Sequence, residues 1–176
     1  MDPYQILSEH NIPYVKYEHP AVFTCEEAEE KASHVPGAHA KNLFLESDPP
    51  RLGEAGKTGL PAGKAGRFYL VTLTYGKRAN LKHLADFLGE KKLHFGSPEK
   101  LMAHLGVTAG SVSPLGLIND TAHAVTYILD QDFLKSEDIN MHPNDNTASL
   151  VIPVPDFLRL LSELGYSPKM YEAGSE

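Results

Sequence analysis

The alternation of apolar and polar positions divides the chain into short segments of differing period. Tyr4, Ile6 and Leu7, with polar residues between them, predict a helix of a turn or two over residues 3–10, and Pro13 ends that pattern. Tyr14, Val15 and Tyr17 follow as a short strand. Four further segments rich in aromatic and β-branched residues read as strands: Lys41 to Glu46, Arg67 to Thr74, Ala124 to Leu129 and Ala148 to Ile152. Three segments carry helical spacing between start and stop signals. LKHLADFL lies between an Asn80 cap and Gly89, EKLMAHL follows Ser97-Pro98 and ends at Gly106, and DFLRLLSEL follows Pro155 and ends at Gly165. Thr24-Cys25-Glu26-Glu27 has the form of a capping box and predicts a further helix of about two turns, to near Ala32. Residues 33–40, the Gly/Pro-rich stretch 47–66 and Thr108 to Gly116 read as loops. Helices and strands are interspersed without clean βαβ alternation and without an internal repeat. That order predicts an α/β fold of the α+β or mixed-sheet kind, in one domain over residues 1–176.

Composition narrows the class. Hydrophobic residues make up 41% and charged residues 22% of 176, which excludes disordered and fibrous chains. No apolar run approaches the roughly 18 residues of a membrane span. The single cysteine rules out a disulfide scaffold or a cysteine-based zinc site. Together with an N-terminus that lacks a basic leader, it predicts a reducing, cytoplasmic setting. Net charge is −7, which disfavours indiscriminate nucleic-acid binding. The charge is uneven, however: residues 1–50 sum to −6, residues 51–100 to +6 and residues 101–176 to −7. Within the basic third, Lys77, Arg78, Lys82, Lys91 and Lys92 form a phosphate-facing patch if they share a face, and a solvated helix face if they do not.

Several familiar chemistries fail on spacing. The run from Gly53 to Gly59 looks like a phosphate loop, but only two residues separate Gly53 from Gly56, where a Walker loop needs four, and no strand feeds it. Cys25 sits in a first helical turn that would lower its pKa, but Glu26 and Glu27 beside it act in the opposite sense. The nine histidines include no HExxH pair, and His142 with Asp145 cannot close a metal site alone. Gly110-Ser111-Val112-Ser113 runs into Pro114, so no GxSxG elbow is present.

Four spaced segments remain: HPAVFTCEEA from His19, AKNLFL from Ala40, GSVSPLGLIND from Gly110 and HPNDNTASL from His142. Each alone reads as a turn, strand or loop. Together, and in this order, they resemble the YbaK/prolyl-tRNA-synthetase-associated family of aminoacyl-tRNA deacylases, in particular its free-standing ProXp-ala (PrdX) type. The likeness runs from Tyr4 to about Tyr171, and the stretch 47–66 matches no family motif.

The resemblance implies a mixed, barrel-like sheet with surrounding helices. It implies a trans-editing hydrolase that cleaves the ester of Ala-tRNA(Pro). The implied partners are the acceptor end of tRNA(Pro) and, as a further candidate, prolyl-tRNA synthetase. No metal and no cofactor are expected. The matching catalytic positions are Lys41, Asn42, Gly110, Ser111, Val112 and Ser113. Val22, Phe23, Thr24, Pro114 and His142 are the expected substrate contacts, with Leu43 and Leu117 as further candidate walls. Lys77, Arg78 and Lys82 are the candidate tRNA contacts. An aminoacyl ester is already activated, so such a site needs a placed water, main-chain N–H groups for the developing oxyanion and control of the terminal ribose. Lys41 suits a phosphate or the ester oxygens, and Asn42 can both donate and accept. The family's substrate 2′-hydroxyl is held to assist, which accounts for the missing protein base, and His142 is expected to shape the pocket. Two other readings stay open: the same fold acting on Cys-, Ser- or Thr-charged tRNA, and a non-catalytic module that binds aminoacyl-tRNA or a synthetase.

Overall fold

The computed structural model describes residues 1–22, 27, 30, 33–49 and 66–174. In chain order the elements are α1 (Pro3–Glu9), β1 (Val15–Glu18), β2 (Ala38–Ser47), β3 (Phe68–Thr74), α2 (Leu81–Leu88), β4 (Leu93–Phe95) and α3 (Pro98–Leu105). A 3₁₀ helix (Pro114–Asn119) precedes β5 (Val125–Asp130), and a second (Gln131–Lys135) precedes β6 (Asp138–Met141). β7 (Ala148–Pro153), α4 (Val154–Glu163) and β8 (Lys169–Tyr171) complete the order. The strands form one mixed sheet in the order β1-β7-β6-β2-β3-β5-β8, with β4 added to β2.

β2 organises this sheet. Its first residues run parallel to β6, with Ala38 against Ile139 and His39 against Asn140. From Ala40 to Glu46 it runs antiparallel to β3, and its end pairs with β4. The two faces of β2 and β3 bury different cores. Phe44, Phe68 and Leu70 face a large cluster with Tyr127, Leu150 and Phe157. Leu45, Tyr69, Val71 and Leu73 face a smaller one, which α2 closes with Leu84 and Ala85. Burial on both faces explains why β3 reads as a continuous apolar run rather than an alternating one.

The helix signals hold in detail. Asn80 accepts from the His83 N–H and Ser97 from the Lys100 N–H, while Gly89 and Gly106 end their helices at φ 70° and 65°. Gly106 is constrained twice, because a Cβ there would lie 2.8 Å from Asn119 Nδ2. The structure departs from expectation where pairing partners are distant. β2 starts at Ala38 rather than Lys41, because its first residues pair with β6 rather than with β3. The segment from Pro114 is a 3₁₀ helix capped by Ser113, not loop. β4, β6 and β8, of 3, 4 and 3 residues, are too short to carry a strand signature of their own. The capping box with Cys25, and the stretch around Gly53, lie outside the described residues. Among the described residues no helix is long and apolar enough to cross a membrane.

One buried carboxylate ties the β3–α2 connection to β5. Asp130 is 0% exposed. It accepts from the Thr74 N–H at 3.1 Å, the Thr74 hydroxyl at 2.8 Å and the Lys77 ammonium at 2.9 Å. Its other oxygen accepts from the Asp132 N–H at 3.1 Å, so removing it strands that N–H and both Thr74 donors, while Lys77 keeps only Asp132. Asp130→Ala is expected to cost about 3 kcal/mol, read as a lower urea midpoint with unchanged slope. A shift within experimental error would mean that water replaces the carboxylate at no cost.

Candidate active site

Beyond His39 and Asn140, β2 and β6 part. Extending their register would set Lys41 opposite His142. Residues 110–113 enter the gap instead. The Asn42 amide donates to the Val112 carbonyl at 3.0 Å, and the Ser113 hydroxyl donates to the His142 carbonyl at 2.6 Å. The loop is therefore fastened to both strands. Ser113 is fully buried, and its Oγ also accepts from the Leu115 N–H at 3.2 Å, so it acts as a cap and a tie. Gly110 turns the chain into the gap at φ +93°, a conformation that favours glycine.

Alternation along β2 places His39 and Lys41 on one face and Asn42 and Phe44 on the other. The His39 face continues through Asn140 on β6 and Ser149 on β7, and three histidines gather on it. His19 donates from Nδ1 to the Pro20 carbonyl at 3.0 Å and accepts at Nε2 from the Ser149 hydroxyl at 3.0 Å. His39 donates from Nε2 to the Val35 carbonyl at 2.8 Å. His142 donates from Nδ1 to the Ala148 carbonyl at 3.1 Å, with its ring centroid 6.1 Å from that of His19. A carbonyl only accepts, so the His142 proton sits on Nδ1 and Nε2 keeps a lone pair. Burial pushes the His142 imidazole below its ordinary range. His19 and His39 act in the same direction, against the Ala148 carbonyl and Asp145.

Two kinds of group remain for a ligand. Lys41 is half-buried and has no hydrogen-bond or ion-pair partner among the described residues. In the loop, the Ser111 N–H donates to the Thr108 carbonyl at 3.1 Å, while those of Gly110, Val112 and Ser113 have no partner among the described residues. Of the four main-chain donors expected here, the turn itself uses that of Ser111. A cation, free amides and a neutral imidazole together can hold a carbonyl oxygen or phosphate and place a water.

The other expected residues fall in several places. Val22 is 4% exposed, and its N–H donates to the Asn146 carbonyl at 3.0 Å, which brings it near the His142 turn. Phe23 and Thr24 lie outside the described residues. Pro114 is buried at the start of its 3₁₀ helix. Leu43 packs on the smaller core and Leu117 in the larger one. Lys77 is spent on Asp130 and Asp132, at 2.9 and 2.5 Å, and is not displayed for a phosphate. Arg78 and Lys82 are exposed around the start of α2, and Lys91 and Lys92 beyond its end. Sequence reading missed His19, His39, Asn140 and Ser149 as neighbours of the site. The signal available was the repeated His-Pro pair, His19-Pro20 and His142-Pro143, whose two rings meet.

A mixed α/β sheet with this polar gap is matched, over residues 19–160, by the aminoacyl-tRNA editing domain. The chain belongs to that family. Among its relatives is the prolyl-tRNA editing protein ProX of Acetoanaerobium sticklandii, 31% identical over 94% of this chain and 92% of that protein. Prolyl-tRNA synthetase associated domain-containing protein 1 of Xenopus laevis is 34% identical over 92% of this chain and 89% of its own length. Two solved structures share the fold. The hypothetical protein APE2540 superposes with a TM-score of 0.71 at 13% identity, covering 98% of each chain. A candidate trans-editing enzyme for prolyl tRNA synthetase gives 0.64 at 20% identity, covering 98% of this chain and 94% of that one.

The lowered pKa of His142 has a measurable consequence. The unfolded chain takes up this proton first as pH falls. The neutral ring therefore contributes stability above the unfolded value near 6.5, and that contribution is lost below it. In a proton NMR titration the His142 C2 proton is expected to show a midpoint below 6.5. A midpoint at or above that value would contradict the burial argument.

Proposed function

We propose that this chain is a trans-editing hydrolase that removes alanine from mischarged tRNA(Pro). The observation that carries the reading is the gap between β2 and β6, where Lys41, without a partner among the described residues, stands on β2 directly before the residue that fastens the Gly110–Pro114 loop. The relatives named for prolyl-tRNA editing support the same substrate class.

Water adds to the ester carbonyl, and the negative charge that develops on its oxygen is met by the free N–H groups of the loop. Preorganised donors of this kind are each worth about 10²–10³ in rate. The bond from the carbonyl carbon to the ribose oxygen then breaks. The water's proton passes to that oxygen, leaving free alanine and tRNA with an intact terminal ribose. Lys41 holds the terminal phosphate or the ester oxygens. His142 closes the far side of the gap, and its Nε2 lone pair accepts a hydrogen bond from the water or the ribose. Alanine is smaller than proline, so a tight pocket walled by Val22 rejects the correctly charged product by size. Arg78 and Lys82 meet the acceptor stem.

Lys41→Ala is expected to lower deacylation of Ala-tRNA(Pro) about 10²-fold or more with the fold retained. Turnover within a few-fold of the native chain would remove Lys41 from the mechanism. A panel of tRNAs charged with alanine, cysteine, serine, threonine and proline tests the substrate. Fastest loss of alanine, with proline spared, fits the reading. Preference for another residue transfers the same chemistry to that substrate, and tight binding without ester loss identifies a binding module.

A further inference from the structure

We infer that Thr72 is a positioning residue of the site, which sets the orientation of the Asn42 amide and through it holds the Gly110–Pro114 loop. The inference rests on the editing reading above for its effect on turnover, but its geometry stands on its own.

Thr72 lies in the middle of β3, directly opposite Asn42, and is 0% exposed. Leu70 and Leu129, its neighbours on the same face, belong to the large apolar core. A valine has nearly the same shape and would suit this wall, so the hydroxyl calls for a reason. It stands in a chain of directed hydrogen bonds. Tyr127, 1% exposed on β5, reaches Thr72 Oγ1 at 3.0 Å. Thr72 Oγ1 reaches Asn42 Oδ1 at 2.8 Å, and Asn42 Nδ2 reaches the Val112 carbonyl at 3.0 Å.

Counting protons fixes the direction. A buried phenol must donate its single proton, and among the described residues Thr72 Oγ1 is its acceptor. Thr72 is left with its own proton, which goes to Asn42. The atom of Asn42 that faces Thr72 is therefore its oxygen. The nitrogen then faces Val112, whose carbonyl can only accept. An inverted amide would set two acceptors against each other at Val112. Shape alone does not distinguish the two ends of an amide, and here the hydroxyl pair does so. Asn42 keeps one further N–H and one further lone pair for substrate or water.

The test uses the full chain and mischarged tRNA. Thr72→Val combined with Tyr127→Phe removes the relay without stranding a buried hydroxyl. It is expected to lower kcat about tenfold with KM within twofold and thermal stability little changed. Thr72→Ser, which keeps the hydroxyl, is expected to restore at least half of native turnover. A double variant with native kcat, or a Thr72→Ser variant as slow as the double variant, overturns the inference. Should the native chain cleave none of the charged tRNAs, the editing reading fails while the relay remains testable by NMR. The Asn42 side-chain amide resonances are expected to shift and broaden in the double variant, and unchanged resonances would overturn the relay. Should the double variant fail to fold, Thr72→Ser and Tyr127→Phe decide: the Asn42 signal is expected to keep its native shift in the first and to move in the second, and a moved signal in the first or an unchanged one in the second overturns the relay.

Discussion

The site exists because two neighbouring strands stop pairing. β2 keeps β3 along one edge from Ala40 to Glu46, but on its other edge it leaves β6 after His39 and meets β4 only from Leu45, and main-chain groups exposed inside a sheet must find other partners. The Gly110–Pro114 loop supplies one, the Ser113 hydroxyl to the His142 carbonyl, and the Asn42 side chain ties the loop to the other bank. A loop held by side chains differs from a strand held by a ladder. Of its own N–H groups only that of Ser111 is consumed, and those of Gly110, Val112 and Ser113 have no partner among the described residues. The same break in pairing therefore leaves main-chain donors unused, and the proposed reaction calls on them.

Charge is divided between folding and chemistry. Lys77 is captured by Asp130 and Asp132, and Lys100 by Glu46, so these cations hold the scaffold. Among the described residues Lys41 has no such carboxylate. The histidines around it are engaged by carbonyls or a hydroxyl, and burial with mutual repulsion disfavours protonation of His142. An ammonium without a counter-ion acts more strongly than one beside a carboxylate, whose charge cancels its field. On the reading proposed above, this ammonium meets the anion or developing oxyanion without several positive charges gathered in a confined space.

Membership of the aminoacyl-tRNA editing family agrees with this arrangement, which asks for positioning rather than for a strong base. The buried hydroxyls of Thr72 and Tyr127 belong to the same logic. They lie in the apolar core yet serve the surface gap, since the orientation of one amide transmits their hydrogen bonds to the loop. Core and site are here continuous.

Local signals were legible wherever the physics is local. Helix caps at Asn80 and Ser97, the glycines that end α2 and α3, and the apolar run of β3 depend on residues within a few positions of each other. Lys41, Asn42, the glycine-proline loop and His142 could be singled out as residues, and their order along the chain pointed to a family. Three-residue strands such as β4 and β8 could not be read, because they exist only by pairing with partners far along the chain. Nor could the chain alone show that Lys77 is spent on an aspartate 53 positions away, or that Asn42 faces Thr72. Sequence determined which chemical groups are present and which local conformations they prefer. Tertiary structure decided which of them are paired and which are left free, because hydrogen-bond and ion-pair partners are settled by proximity in space, and the ties among Asn42, Thr72, the loop and His142 each join residues at least 29 positions apart.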